Sequence, residues 1–137
     1  MNKFFFDTNV LVYSVDKAHG LKHEKAKQML TRHTKIEGGV ISTQVLQEYY
    51  AVITGKLKIK PASAKDLIKQ LDYEIIDIDF DIILEAIDIQ VDYKISFWDG
   101  LIVASALSAG CDKLFTEDLN HLQRIRSLTL ENPFRMA

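Results

Sequence analysis

Three consecutive phenylalanines, Phe4-Phe5-Phe6, end abruptly at the polar run Asp7-Thr8-Asn9. An apolar run without alternation marks a strand covered on both faces, and such strands belong to parallel sheets packed between helices. The rest of the chain must then supply the covering helices. A short helix is expected after Asn9. Residues 21–33 place Ala26, Met29 and Leu30 at spacings of three and four among lysines, the pattern of an amphipathic helix. Val40-Ile41-Ser42 reads as a second strand after Gly38-Gly39, with Thr43 expected to cap a helix through about Thr54 and Gly55 at its end. Lys56 to Lys60 forms a basic loop, and Pro61 opens a helix to about Leu71.

Further along, Ile76, Ile78 and Phe80 alternate with Asp77, Asp79 and Asp81, which predicts a strand. The period then lengthens: Phe80, Ile83, Leu84, Ile87 and Val91 form a helical apolar face opposite Asp81, Glu85, Asp88 and Asp92. A nearly all-apolar helix over 97–109 closes at Gly110, a third buried strand follows at Lys113–Phe115, and Ser127–Leu130 is expected at a sheet edge. Strands alternating with helices predict an α/β domain with a mainly parallel central sheet. No repeat or low-complexity stretch divides the 137 residues, so one domain over 1–137 is expected.

Composition excludes several classes. The single cysteine, Cys111, permits neither an intramolecular disulfide nor a zinc site of several thiolates. No apolar stretch reaches the roughly 18 residues of a membrane helix, and no signal-peptide pattern opens the chain, so a cytoplasmic protein without a membrane span is expected. The net charge of −2 conceals a segregation. Residues 70–93 hold eight acids and no lysine or arginine, and the remaining sequence carries a basic surplus of six. Mild overall acidity is thus compatible with a nucleic-acid partner.

Four acids stand where charge is expensive. Asp7 is the only charged residue between Lys3 and Asp16, at the carboxyl end of the first strand, where open α/β sheets bind ligands. Glu48 is alone between Glu37 and Lys56, at helical spacing from Val45 and Val52. Asp99 is alone between Lys94 and Asp112, in the first turn of an apolar helix, and Asp118 follows the strand Lys113–Phe115. Each has a plain structural role available: Asp7 as a helix cap, Glu48 as a surface acid, Asp99 in a capping box with Ser96, Asp118 in a turn. Together they point to a site gathered at the sheet's carboxyl ends. Converging carboxylates repel unless protonated or bridged by cations. Oxygen donors without a histidine or cysteine cluster favour Mg²⁺ or Mn²⁺. His19 and His23 have a ligand-like spacing, but Gly20 interrupts it and no zinc-protease glutamate accompanies them. There is no Gly-x-Ser-x-Gly elbow and no glycine-rich phosphate loop.

The segments Phe6-Asp7-Thr8-Asn9-Val10-Leu11-Val12-Tyr13, Gln44-Val45-Leu46-Gln47-Glu48-Tyr49-Tyr50, Trp98-Asp99-Gly100-Leu101-Ile102-Val103-Ala104 and Thr116-Glu117-Asp118-Leu119 resemble, in order and spacing, the PIN-domain ribonucleases. More narrowly the chain is similar to VapC-type toxins of toxin–antitoxin pairs, including its Asn132-Pro133-Phe134 ending. The resemblance implies a three-layer PIN-like fold and a metal-dependent endoribonuclease. It implies Asp7, Glu48, Asp99 and Asp118 as the acidic metal site, with polar support from Thr8, Asn9, Thr116 and Asn120. It also implies an RNA substrate, a neutralising antitoxin that covers the acidic groove, and a homodimer. Lys56, Lys58, Lys60, Arg124 and Arg126 are candidate RNA contacts. The chain departs from the family at Leu122, where related sequences often have glycine shortly after the Asp118 motif.

Other functions compete for the same residues. An aspartyl-phosphate phosphatase would use Asp7 as nucleophile but wants a second aspartate two positions later, where this chain has Asn9. A receiver-like domain would need an adjacent acidic pair near the first strand and leaves Glu48 unexplained. A non-catalytic RNA-binding adaptor would keep the fold and lose nothing on Asp7→Asn.

Overall fold

The computed structural model describes residues 2–135. Strand β1 (Phe4–Phe6) leads through helix α1 (Thr8–Tyr13), a 3₁₀ turn at Lys17–His19 and α2 (Leu21–Arg32) to β2 (Gly39–Ser42). Helices α3 (Thr43–Gly55) and α4 (Pro61–Lys69) connect to β3 (Glu74–Ile76); α5 (Phe80–Tyr93) and α6 (Phe97–Ser108) connect to β4 (Lys113–Phe115); β5 (Arg124–Ile125) and β6 (Leu128–Glu131) complete the sheet. The strand order is β3-β2-β1-β4-β6-β5, parallel throughout except for the antiparallel β5–β6 pair. Parallel neighbours need right-handed crossovers, which put helices on the sheet's two faces. Accordingly α1 packs on α2 and α3, α3 packs on α4, and α5 pairs with α6. The six-stranded, mostly parallel sheet flanked by helices is the α/β architecture expected from the alternation. Among the described residues no helix is long and apolar enough to cross a membrane.

β1 lies at the centre, with Phe5 in register between Val40 of β2 and Leu114 of β4, and all three are buried. Burying each such side chain contributes about 1.5–3 kcal/mol. The phenylalanine run is therefore a buried strand, as its lack of alternation required. Its carboxyl end lies beside that of β4, because Asp7 N donates to the Phe115 carbonyl at 3.0 Å.

Four expectations are corrected. Helix α3 is capped by Ser42, whose Oγ accepts from Val45 N at 3.4 Å, whereas Thr43 is already helical and its hydroxyl accepts from Ile78 N at 3.3 Å. The strand expected over 76–80 ends at Ile76, because Asp79 caps α5 by accepting from Ile82 N at 2.9 Å and so draws Phe80 into the helix. Ser127–Leu130 is not an edge: β6 is interior, and the two-residue β5, too short to show a period, pairs outside it.

The fourth correction concerns α5, which buries Ile82, Ala86 and Ile89 rather than the expected stripe. Phe80 is 71% exposed and Val91 68%, with Ile83, Leu84 and Ile87 also exposed. Close approach decides the face. A Cβ on Gly100 would stand 2.7 Å from the Ala86 carbonyl oxygen, so α5 and α6 cross where two small residues let the backbones meet. The bulkier stripe is turned outward.

Candidate active site

Asp7 ends β1 and caps α1, so one side chain serves both capping and the cleft. Its Oδ1 accepts from Thr8 N at 2.7 Å and its Oδ2 from the Thr116 hydroxyl at 2.7 Å. The Thr116 oxygen in turn accepts from Asp118 N at 3.1 Å, so a threonine just past β4 fixes two acids at once. Glu48 projects from α3, and its Oε1 accepts from the Thr8 hydroxyl at 2.7 Å. Asn9 Nδ2 donates to Asp118 Oδ1 at 3.4 Å. Asp99 sits in the first turn of α6, where its backbone N donates to Ser96 Oγ at 3.0 Å. Its capping position and its place in the cleft are compatible.

A cleft of about 330 Å³ is lined by Asp7, Glu48, Asp99 and Asp118 together with Thr8, Asn9, Gln44 and Trp98. Four carboxylates from separate elements thus share one cavity. Asn120 does not line it; its carbonyl closes a turn with Gln123 N. Nor do Lys56, Lys58, Lys60, Arg124 or Arg126, all exposed, and Arg126 is paired with Glu85. The cleft has acids at its centre and none of the expected cations on its walls.

The electrostatics follow from that. Asp7, only 6% exposed, has its carboxyl pushed up to about 7 by burial, against the lowering effect of the Thr116 and Thr8 hydrogen bonds; Asp118 and Glu48 push it further up. Asp118, at the mouth, is raised by partial burial, then by Asp99 and Glu117. These are groups that a nearby positive charge would relieve.

Two features escaped the sequence reading. Gln44 lines the acidic cleft, its Nε2 donates to the Trp98 carbonyl at 3.2 Å, and its buried Oε1 has no partner among the described residues. Its position four residues before Glu48 on one helix face was the available signal. Glu117, beside Asp118, is bound by the Tyr13 hydroxyl and by Lys22 Nζ at 3.0 Å, which ties α1 and α2 to the loop carrying Asp118. Nothing local to Glu117 marks that contact, because both partners lie about a hundred residues away.

The cleft fits a hard divalent cation in its chemistry: every donor is oxygen, one buried acceptor is unpartnered, and like charges converge on a desolvated carboxyl. Its side chains engage one another: among the described residues no three His, Cys, Asp or Glu groups are already arranged to hold an ion. Glu48 is turned to Thr8 instead.

The PIN domain family matches residues 4–128. This chain belongs to the PIN-domain family. No curated protein matches it by sequence. Solved structures similar to this PIN domain include the Mycobacterium tuberculosis VapC20, described as a sarcin-ricin loop cleaving toxin, with TM-score 0.69 and 18% identity over 85% of this chain and 92% of that one. A toxin–antitoxin complex from Klebsiella pneumoniae contains a chain with TM-score 0.72 and 22% identity, covering 98% of this chain and 100% of that one. VapBC2 from Rickettsia felis, bound to a promoter DNA fragment, gives TM-score 0.65 and 25% identity over 93% and 96%. The PIN domain is thus structurally similar to VapC toxins of VapBC systems.

Proposed function

We propose that this chain is a metal-dependent endoribonuclease and the toxin of a toxin–antitoxin pair. One observation carries the reading: four carboxylates from separate elements line a single cleft at the carboxyl ends of β1 and β4. Membership of a family whose members are typically nucleases supports it.

Asp7 and Asp99 are assigned as the primary metal ligands, Asp118 as a ligand or a water-mediated partner, and Glu48 as a ligand that also orients the attacking water. A divalent ion, Mg²⁺ with Mn²⁺ as substitute, would supply Lewis-acid charge at the scissile phosphate. Thr116 holds Asp7 and the Asp118 backbone in place, and the Thr8 hydroxyl anchors Glu48. Glu48 has its second oxygen free of any described partner for a water molecule. Burial of Asp7 means that it stays a ready ligand only where positive charge offsets its desolvation. Lys56, Lys58, Lys60 and Arg124 are assigned as outlying RNA contacts, and Arg126 as one that must first leave Glu85.

The neutralising partner is an antitoxin protein, as in the toxin–antitoxin complex from Klebsiella pneumoniae. The exposed apolar stripe of α5 supports a homodimer, since contiguous apolar surface of that kind marks association sites. A cytoplasmic location accompanies this reading. The test incubates partner-free protein with end-labelled structured RNAs and Mg²⁺ or Mn²⁺, with chelator and Asp7→Asn as controls. Cleavage that needs metal and disappears in Asp7→Asn is expected. Covalent labelling of Asp7 by a phosphoryl donor without RNA cleavage would overturn the nuclease in favour of phosphoryl transfer.

A further inference from the structure

An acidic cleft repels the polyanion it is meant to cut. RNA affinity must come from cations elsewhere, on a molecule whose net charge is −2. Several cations are already engaged: Lys3 with Glu74, Lys22 with Glu117, Lys113 with Glu131 and Arg126 with Glu85. A second groove, of about 350 Å³, lies between α2 and the segment after β6 and shares no lining residue with the acidic cleft. It gathers Lys25, Arg32 and Arg135, none of which makes an ion pair with a described residue. Lys25 and Arg32, with Met29 between them, recur at spacings of four and three on one face of α2. The groove's one carboxylate, Glu131, is bound by Lys113 at 3.2 Å. The His33 ring at the groove is held below its ordinary value by burial first and then by Arg32, against an opposing pull from Glu37.

The groove is also connected to the acids. Phe115, part of its wall, accepts from Asp7 N at 3.0 Å and immediately precedes Thr116. A neighbouring depression shares Lys25, Pro133 and Arg135 with the groove, also holds Glu24, and extends along α2 to Leu21, the neighbour of the Lys22 that binds Glu117 beside Asp118. Lys25 and Arg32 therefore continue along α2 from the Lys22–Glu117 pair beside Asp118. An arginine fork matches phosphate oxygens in pairs, and lysine adds a mobile point charge.

We propose that the groove between α2 and the segment after β6 binds the phosphodiester backbone flanking the scissile bond, with Arg32, Lys25 and Arg135 as its phosphate contacts. The proposal rests on the reading of the acidic cleft as an RNA-cutting site. Its test measures fluorescence anisotropy of a short labelled single-stranded RNA in an Asp7→Asn background, so that no cleavage intervenes. The double variant Lys25→Gln/Arg32→Gln is compared with Lys27→Gln/Lys35→Gln, which removes the same charge from exposed positions outside the groove. Loss of two phosphate contacts should weaken binding about tenfold at low salt and reduce the slope of log affinity against log salt by about 1.4, with much smaller changes in the control. Equal losses in both double variants would mean that only net charge matters, and the groove assignment would fail. If inorganic phosphate shifts the Arg32 side-chain NMR signal but the RNA does not, the site serves a free anion and the RNA assignment is overturned. Cleavage is read separately, in chains retaining Asp7. Groove-dependent binding without any cleavage would sink the nuclease reading alone, and cleavage with an unchanged KM in the groove variant would sink the groove alone.

Discussion

Asp7 concentrates the tension between folding and chemistry at a single residue. Its carboxyl stands at about 7 in the folded chain against 3.8 ordinarily, so the folded state holds the proton more tightly than the unfolded state. Stability therefore falls as pH rises from about 4 to about 7 and levels off above, the sign expected when the native state binds more protons. Asp7→Asn should raise the melting temperature of the metal-free protein at about pH 8, and this gain should shrink toward zero near pH 4. Calorimetry in chelator checks it; a gain independent of pH would show that ionisation of Asp7 is not what destabilises the fold. Thr116→Val removes the hydroxyl that donates to Asp7 and accepts from Asp118 N. Loss of such a support is expected to lower Mn²⁺ affinity about 10- to 100-fold. Titration calorimetry reads this directly, and unchanged affinity would remove Thr116 from the site.

Between residues and the whole fold, backbone conformation decides what a segment tolerates. Leu122 has φ +64° and is 61% exposed, so this chain keeps the left-handed turn that suits glycine while carrying a side chain that buries little there. Its N–H donates to the Leu130 carbonyl at 2.8 Å, which ties the turn to β6 and holds it in that conformation. The left-handed region costs a leucine about 1–2 kcal/mol, partly offset by the greater unfolded-state freedom of glycine. Leu122→Gly should stabilise by about 0.5–1 kcal/mol in urea unfolding, and a destabilisation would contradict this account. The crossing of α5 and α6 gives the opposite case. Gly100→Ala drives a methyl group against the Ala86 carbonyl and should cost about 1–3 kcal/mol by the same measurement.

At the scale of the molecule, the outward stripe of α5 and the division of charge are the features without an internal partner. Ile83, Leu84 and Ile87 are exposed between Phe80 and Val91, on a helix whose other outward positions are mostly acidic. If two copies cover this face, sedimentation should show a dimer at micromolar concentration, and Leu84→Asp/Ile87→Asp should yield a monomer with a nearly unchanged urea midpoint. A wild-type chain that sediments as a monomer would leave the stripe to another partner. The proposed RNA groove and the acidic cleft are likewise complementary at this scale, since Lys25, Arg32 and Arg135 gather at one and four carboxylates at the other.

The sequence by itself determined the alternation of strands and helices, the burial of Phe4-Phe5-Phe6, and that four acids stand alone in apolar surroundings, because an isolated charge in an apolar run and a change of hydrophobic period are local signals. Tertiary structure alone decided which face α5 buries, where β5 pairs, that Gln44 joins the cleft with a buried oxygen left unpartnered, and that Lys25 and Arg32 meet Arg135 across a groove. Each of these depends on backbones meeting across long stretches of sequence. The clearest instance is Gly100 against Ala86: the larger apolar face of α5 lost to the face whose small residue permits contact, and periodicity carries no record of that distance.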